Sequence, residues 1–232
     1  TDQRISVEIG LGRSPLVEGN RVGQLAKAVD HRTLYLRNRA GRVDNLRADI
    51  ANNPDLADLP HACGRIDPRL HDMSKIAQVA PIVFDPNVRS SVVSDRTKYQ
   101  AAVARWTAIS AVIKVSEDDL AWLYPEREQL DIAAQWLNEG AALVIITKGS
   151  YGLIGITKEG SVTVPGVKVE VADTVGAGDT VGAIVVEAIV ERGLAALHGE
   201  VLREVLTRAA KAASITCSRA GANPPSRAEI EE

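Results

Sequence analysis

The chain has 232 residues and a formal net charge of −3; hydrophobic residues make up 45% of it and charged residues 25%. This is the balance of a globular protein with one sizeable core, and it gives no electrostatic reason to expect nucleic acid or an anionic membrane as a partner. Aromatic residues make up only 3%, which argues against stacking platforms for single-stranded nucleic acid.

The N-terminal sequence contains no apolar leader, and no stretch approaches 18 consecutive apolar residues. Cys63 and Cys217 are far apart, without CxxC or histidine spacing, so they cannot form a structural zinc site alone. Their small number suggests a reducing compartment. We therefore expect a cytoplasmic protein.

Residues 1–80 show little periodicity, although residues 5–9 and 34–36 have strand-like patterns. From residue 76 onward, strand and helix patterns alternate. Strands are predicted at residues 80–84, 109–115 and 142–146, followed by a hairpin at 153–157 and 161–164. Helices are predicted at residues 96–106, 117–123, 130–137 and 202–214. Ser116 is the predicted N-cap of the second helix, with Asp119 as its capping partner. The tail from residue 216 is predicted to be a loop.

This alternation predicts an α/β fold, a three-layer sandwich with a mostly parallel central sheet. Ligands of such sheets bind beyond the carboxyl ends of the strands. The segments that follow the predicted strands include residues 85–87, 116, 148–149 and 173–180. We therefore expect these segments to share one crevice.

The most informative stretch is residues 167–193, where a predicted strand leads into a glycine-rich turn and then a helix. Valines 167, 169 and 171 alternate with other residues as in a strand. Gly176 and Gly178 allow close approach to a phosphate at the helix N-terminus. A carboxylate at that point, Asp179, would repel an anion, but it is well placed to remove a proton from a group that attacks the phosphate.

Two common phosphate loops are excluded by spacing. The third glycine, Gly182, comes one residue too late for the dinucleotide-binding GxGxxG pattern. A Walker loop would need Gly-Lys-Ser/Thr, which the chain lacks. A helix start with an aspartate favoured by the helix dipole is the ordinary alternative for an isolated GxGD, but the whole string DTVGAGD is much more specific.

DTVGAGD resembles the signature of the PfkB (ribokinase-like) family of carbohydrate kinases. Four further strings, IVFDPNVR, IKVSEDDLAWLYP, VIITKGSYG and ITCSRAGANPPSRAE, resemble stretches of its bacterial fructokinase-type members in the same order. Together they cover residues 76–232. The resemblance implies a sugar kinase that uses ATP and Mg²⁺.

The resemblance also implies roles for single residues. Asp179 matches the catalytic base that deprotonates the sugar hydroxyl and so also contacts the substrate. Gly176, Ala177 and Gly178 match an anion hole that neutralises charge on the transferring phosphoryl group. These roles agree with the needs of phosphoryl transfer, which are positioning and electrostatic stabilisation.

Further matches concern metal ions. Asp173 and the carbonyl of Val175 match a monovalent-cation site, for which K⁺ is the candidate, and an ordinary turn aspartate is the alternative for Asp173. Glu117 matches the glutamate of an N-x-x-E element that orders Mg²⁺ through water. Lys114 replaces the asparagine of that element, and an acidic first-turn residue is the equally good alternative for Glu117.

The remaining matches concern ATP and sugar. The nucleotide phosphates would contact the loop formed by Thr147, Lys148, Gly149 and Gly152, with a solvated lysine as the alternative for Lys148. Asn87 and Arg89 would bind substrate, since a guanidinium can bridge sugar oxygens and the γ-phosphate. A surface arginine is the alternative for Arg89.

The first third departs from the family. Members open with a sugar-binding strand, a Gly-Gly-x-x-x-Asn segment and a small β lid, and residues 1–80 contain only fragments of this pattern. Either the lid is degenerate and sugar binding is poor, or segments separated in the whole polypeptide are joined here; we favour the second because the joins fall inside would-be core strands. We accordingly divide the chain into an atypical, discontinuous N-terminal part, 1–80, and a catalytic core, 76–232.

The resulting hypothesis is an ATP-dependent kinase for a sugar primary hydroxyl, with fructose as the first candidate. A 2-keto-3-deoxygluconate, ribose or nucleoside kinase is the alternative within the family. The alternative of another class is a non-catalytic homologue that senses nucleotide or sugar. A homodimer is compatible with the resemblance, because lids in this family often make dimers.

Overall fold

The structure is a computed structural model that describes residues 34–37, 77–78, 80–91 and 94–231. The strand pattern at residues 5–9, the lid and the proposed joins lie outside the described residues. The strand predicted at residues 34–36 is present as β1, Leu34–Arg37.

The described strands form one sheet of six in the sequential order β1 to β6. The other five are β2 (Ile82–Asp85), β3 (Val112–Ser116), β4 (Leu143–Thr147), β5 (Leu153–Thr157) and β6 (Gly160–Val164). Strands β1 to β4 are parallel, whereas β5 and β6 are antiparallel and form the predicted hairpin. The expected α/β fold with a mostly parallel sheet is confirmed.

Helices cover both faces of the sheet. They are α1 (Arg96–Thr107), α2 (Glu117–Leu123), α3 (Gln129–Glu139), α4 (Ala177–Arg192), α5 (Gly199–Cys217) and α6 (Arg227–Glu231). Side chains of β4 alternate between the faces: Leu143 and Ile145 pack with α4 and α5, while Val144 and Ile146 pack with the α1 to α3 layer. Each face therefore has its own apolar core.

Local hydrogen bonds explain where two elements begin. Strand β3 starts three residues later than predicted because the N–H groups of Ile109 and Ser110 still donate to carbonyls of the last turn of α1. The N-cap of α2 is as predicted, since the hydroxyl of Ser116 accepts the N–H of Asp119 at 3.0 Å.

The strand predicted at residues 167–171 is wrong. Val167, Val169 and Val171 lie in irregular backbone and are 47%, 37% and 59% exposed. The N–H groups of the next two residues, Ala172 and Asp173, both donate to the single carbonyl of Cys217, which is not a strand ladder. Alternation in sequence indicates two faces, but it cannot supply the partner strand that a sheet requires.

The prediction of loop for the whole tail is also wrong. Helix α5 extends to Cys217, and Arg227–Glu231 forms α6, whose Ile230 is 4% exposed and joins the core around α4 and α5. The carboxylate of Glu229 accepts both the N–H and the hydroxyl of Ser226 at 2.7 Å. The hydrogen bond from the Ser226 N–H is the glutamate half of a Ser-x-x-Glu capping box, a pattern that is present in the sequence but was not used in the prediction.

Among the described residues, no helix has both the length and the apolar character needed to cross a bilayer.

Candidate active site

Three neighbouring parallel strands end at the same edge of the sheet. Strand β2 ends at Asp85, β3 at Ser116 and β4 at Thr147, and the last two residues are register partners. Each strand is followed at once by a predicted site segment: residues 86–89, the start of α2, and residues 148–152. Parallel pairing therefore places these segments side by side.

The glycine-rich turn opens α4 as predicted. Gly176 is the residue before the helix and has a left-handed backbone with φ of 86°. A β-carbon at this position would lie 3.0 Å from the β-carbon of Ala222, so the turn also packs closely against the tail. The N–H of Ala177 lies 3.3 Å from the carbonyl of Thr174, which tightens the turn.

The start of α4 is anchored from inside the protein. Thr180 is 6% exposed, and its hydroxyl lies 2.9 Å from both the carbonyl of Gly176 and the hydroxyl of Thr216 on α5. The hydroxyl of Thr216, itself fully buried, donates to the carbonyl of Ala212 at 3.1 Å. The half-buried Asp179, one residue before Thr180, is thereby held in the first turn of α4.

Asp173 joins the glycine-rich turn to the tail. One carboxylate oxygen accepts the N–H of Val175 at 3.0 Å, and the other accepts the N–H of Gly221 at 3.0 Å. These two backbone hydrogen bonds lower the pKa of Asp173, the one from Val175 most. A negative charge is therefore maintained beside the loop that contains Gly176.

The segment after β4 folds back on itself. The N–H of Lys148 donates to the carbonyl of Gly152 at 2.8 Å, and Gly149 begins a short 3-10 turn between them. The ammonium of Lys148 lies 3.9 Å from a carboxylate oxygen of Glu117, and both side chains are 32% exposed. The predicted nucleotide loop and the predicted Mg²⁺ residue thus meet.

The segment after β2 is held by two aspartates. Asn87 has a φ of 41°, and its N–H donates to Asp85 at 3.2 Å. The N–H of Val88 donates to the carboxylate of Asp119 at 3.1 Å. Arg89 is half-buried and directs one N–H to the carbonyl of Val88 at 3.2 Å.

A buried ion pair that sequence reasoning missed connects this edge to α4. The ammonium of Lys114 lies 2.7 Å from a carboxylate oxygen of Asp85, and the two side chains are 6% and 5% exposed. The same ammonium donates to the carbonyl of Gly178 at 3.3 Å. A charged residue inside the predicted strand at 109–115 was the available signal, because buried lysines require a partner.

Asp119 lies close to this pair and is itself largely buried. Burial raises its pKa, and the negative charge of Asp85 raises it further, while hydrogen bonds with Ser116 and the charge of Lys114 act in the opposite direction. Asp85, Lys114 and Asp119 thus form a group of ionisable side chains next to the predicted crevice.

The described contacts connect some of the predicted site residues, in separate groups. Lys114 links Gly178 to Asp85 and so to Asn87, while Lys148 and Glu117 lie on the neighbouring strand ends. Asp173 and Val175 contact each other instead, and Asp173 also contacts Gly221 of the tail. Among the described residues, no group of three or more His, Cys, Asp or Glu side chains could hold a metal ion.

The sequence profile of the family described as pfkB family carbohydrate kinase matches residues 65–229. The fructokinase of Rhizobium leguminosarum bv. trifolii is 37% identical over 187 residues, which are 73% of this chain and 56% of that protein. The aminoimidazole riboside kinase of Salmonella typhimurium is 34% identical over 98 residues, 42% of this chain and 31% of that protein.

Solved structures share the fold. Aminoimidazole riboside kinase from Salmonella enterica, complexed with aminoimidazole riboside and an ATP analogue, has a TM-score of 0.61 and 23% identity, covering 70% of this chain and 55% of its own. A fructokinase from Vibrio cholerae bound to fructose, ADP and potassium also has a TM-score of 0.61 and 23% identity, covering 68% and 52%. The chain spans between 31% and 56% of the length of these relatives.

Proposed function

The chain belongs to the pfkB family of carbohydrate kinases, and we propose that it transfers the γ-phosphoryl group of ATP to a primary hydroxyl of a sugar. The observation that carries this proposal is the start of α4, where a carboxylate follows two glycines at a helix N-terminus. The ends of β2, β3 and β4 lie at the sheet edge from which Lys114 reaches this turn. A phosphate site with a base beside it is what phosphoryl transfer requires.

In the proposed reaction Asp179 accepts the proton of the sugar hydroxyl as that oxygen attacks the γ-phosphate in line. The backbone N–H groups of Gly176, Ala177 and Gly178 donate to the charged phosphoryl oxygens, and Ala177 shares its N–H with the carbonyl of Thr174, 3.3 Å away. The first N–H groups of a helix lack intrahelical acceptors, and the helix dipole favours negative charge there. Because these donors are already oriented, they stabilise charge without reorganisation during the reaction.

ATP would bind along the loop of Thr147, Lys148, Gly149 and Gly152. The half-exposed ion pair of Lys148 with Glu117 at 3.9 Å is long, and such pairs are typically worth only about 0.2–1 kcal/mol. The lysine can therefore exchange this partner for a nucleotide phosphate at little cost. Its position directly after a buried strand supports this assignment.

The residues present fit the metal ions that this chemistry uses. Mg²⁺ carried by ATP phosphates needs only one or two protein carboxylates and keeps several waters, and Glu117 at the start of α2 would supply one. Mg²⁺ would neutralise phosphate charge. For K⁺, the anchored carboxylate of Asp173 and the carbonyl of Val175 are the proposed ligands, since Asp173 keeps its charge next to the loop.

Fructose is the first candidate acceptor, and the identity to the Rhizobium fructokinase over 73% of the chain supports it. Asn87 and Arg89 are proposed to contact it, because they follow β2 on the same edge as Lys114. The similarity to an aminoimidazole riboside kinase keeps a riboside acceptor as the alternative. Residues 76–232 would form the nucleotide-binding and catalytic core of a cytoplasmic enzyme, with homodimerisation through a lid as a further proposal.

A coupled assay of ADP release over fructose, ribose, 2-keto-3-deoxygluconate and nucleosides, with Mg²⁺-ATP, tests the proposal. We expect fructose-dependent ADP release with the highest kcat/KM in the panel. A higher value for another acceptor would reassign the substrate within the family. Tight ATP binding by calorimetry without release of ADP for any acceptor would overturn the kinase proposal in favour of a sensing protein.

A further inference from the structure

We propose that Lys114 is a positioning residue for phosphoryl transfer, which acts by holding the peptide between Gly178 and Asp179 in its reactive orientation. This inference rests on the proposed function and adds to it a residue outside the predicted site.

The location of Lys114 is set by the sheet. In β3, Val112 faces the layer of α4 and α5 while Ile113 and Val115 face the opposite one. Strand alternation therefore directs Lys114 toward α4. Its side chain is 6% exposed, so the ammonium is almost completely removed from water.

A buried ammonium needs compensating acceptors. One is the carboxylate of Asp85 at 2.7 Å and another is the carbonyl of Gly178 at 3.3 Å, 64 residues away in the chain. A charge-assisted hydrogen bond is roughly twice as strong as a neutral one. At 3.3 Å this bond is longer than the roughly 2.7–2.9 Å of the strongest charge-assisted contacts, but it directs the carbonyl of Gly178 toward β3.

The consequence for the site follows from peptide geometry. A trans peptide is planar, so its C=O and the following N–H point in opposite directions. Fixing the carbonyl of Gly178 therefore fixes the N–H of Asp179 and the backbone from which its carboxylate extends. The contact is also close: a β-carbon at position 178 would lie 2.8 Å from the ammonium, so a larger residue there would require the lysine side chain to shift.

Asp85 gives the ammonium its second role. The other carboxylate oxygen of Asp85 accepts the N–H of Asn87 at 3.2 Å, in the segment proposed to bind the acceptor. One lysine thus connects the loop of the base with the loop of the acceptor. A side chain that sets the relation between two reacting loops should affect the chemical step more than ATP binding.

The test compares Lys114→Met, Asp85→Asn and the double variant with the wild type. Removing one partner leaves a buried charge unpaired, so both single variants should have a lower melting temperature. The double variant has neither charge and should recover most of that stability. We expect kcat for fructose phosphorylation to remain at least about 10-fold lower than in wild type, both in Lys114→Met and in the double variant, because a 1 Å misplacement of reacting groups can lower the rate about 10²-fold. The KM for ATP should stay within about twofold of wild type.

Glu187→Gln is the matched control. Glu187 is a buried carboxylate on the same helix, 5% exposed and paired with Arg208, but it lies two turns from the proposed base. This variant should lower the melting temperature and leave kcat unchanged.

Recovery of kcat together with stability in the double variant would overturn the inference, because Lys114 would then be only structural. So would an unchanged kcat in Lys114→Met. The kinase proposal itself is tested by the wild type: if wild type releases no ADP with any acceptor, that proposal fails and the positioning role fails with it. If wild type is active and the variants have the same kcat, only the positioning role of Lys114 is refuted.

Discussion

At the scale of single residues, the central feature is a carboxylate in the first turn of α4. Helix N-termini attract anions, and phosphate would be the natural ligand of this one. Asp179 nevertheless places a negative charge there, half-buried and held by the anchored Thr180. Its position is explained if the side chain serves as a base instead of as a binding group.

Asp179→Asn should reduce turnover about 10²–10⁴-fold, because the amide cannot accept the proton of the sugar hydroxyl. ATP affinity should be retained or improved, since a charge near the phosphates is removed. The measurements are kcat from ADP release and the dissociation constant from calorimetry.

Asp131→Asn is the control for this substitution. Asp131 also lies in the first turn of a helix, α3, but it is exposed and its helix packs on the opposite face of the sheet from α4. Turnover of this variant should be normal. Near-normal turnover of Asp179→Asn would refute the assigned base.

Gly176→Ala should lower both stability and turnover. A left-handed backbone at a non-glycine residue costs about 1–2 kcal/mol, and the added β-carbon would meet Ala222 at 3.0 Å. The contact can be relieved only by a shift of the loop, which would misplace the phosphate donors. Urea unfolding and the ADP assay would measure the two effects.

Gly199→Ala is the control that separates the loss of stability from the loss of turnover. Gly199 also has a positive φ, of 53°, but no atom lies within 4 Å of the added carbon. Stability should fall by a similar amount while kcat is unchanged. If Gly176→Ala behaved in the same way, close packing of the phosphate loop would not matter for turnover.

At the scale of elements, the short helix α6 depends on its cap. Glu229 accepts two hydrogen bonds from Ser226 and pairs with Arg219 at 2.6 Å. These interactions lower its pKa to about 2, with the backbone hydrogen bond from Ser226 as the largest cause. Because α6 packs next to the tail that holds Ala222 and Gly221, its stability bears on the site.

The pKa of Glu229 predicts a pH dependence. A carboxyl group whose pKa is depressed in the folded state stabilises the protein above its unfolded pKa, about 4.3, and loses this contribution as the pH falls toward 2. Wild type should therefore exceed Glu229→Gln in melting temperature at pH 7, and the difference should disappear near pH 2.

Glu231→Gln provides the comparison for that measurement. Glu231 lies on the same helix and pairs with Arg227 at 3.2 Å, but it is 62% exposed and caps nothing. Its substitution should change the melting temperature little at either pH. A Glu229→Gln difference that persisted at pH 2 would show that the carboxylate charge is not responsible.

At the scale of the whole molecule, the sheet separates two apolar cores. The core on the side of α1 to α3 includes Trp136, which is 3% exposed. Trp106 and Trp122 are partly buried and pack against this core. These are the three tryptophans of the chain, and this location indicates that they serve core packing. The core around α4 and α5 is built from aliphatic residues, and the proposed base lies in the first turn of α4.

This asymmetry allows a test of cooperativity. Tryptophan fluorescence reports the core on the α1 to α3 side, whereas far-ultraviolet circular dichroism reports helices on both sides. Because the strands contribute side chains to both cores, we expect the two urea transitions to coincide. A fluorescence transition at a different midpoint would show that the two faces unfold separately.

Most of the α/β architecture could be predicted because hydrophobic periodicity and the residues that end helices and strands are local features of the sequence. The buried strands β2 to β4, the hairpin and the helix after the glycine-rich turn are present as expected. The strand at residues 167–171 failed because sheet formation needs a partner, which local alternation cannot show. Helix α6 was missed although its capping box was visible.

The sequence by itself determined the family, the order of the elements and the segments that follow the strand ends, because these depend on local patterns and on one specific string. Only the tertiary structure showed that Lys114, Asp85 and Gly178 meet, since the three residues lie in separate segments of the chain. Their contact depends on strand register and on the distance from β3 to the start of α4. Such distances result from packing across the whole sheet, which no local pattern encodes.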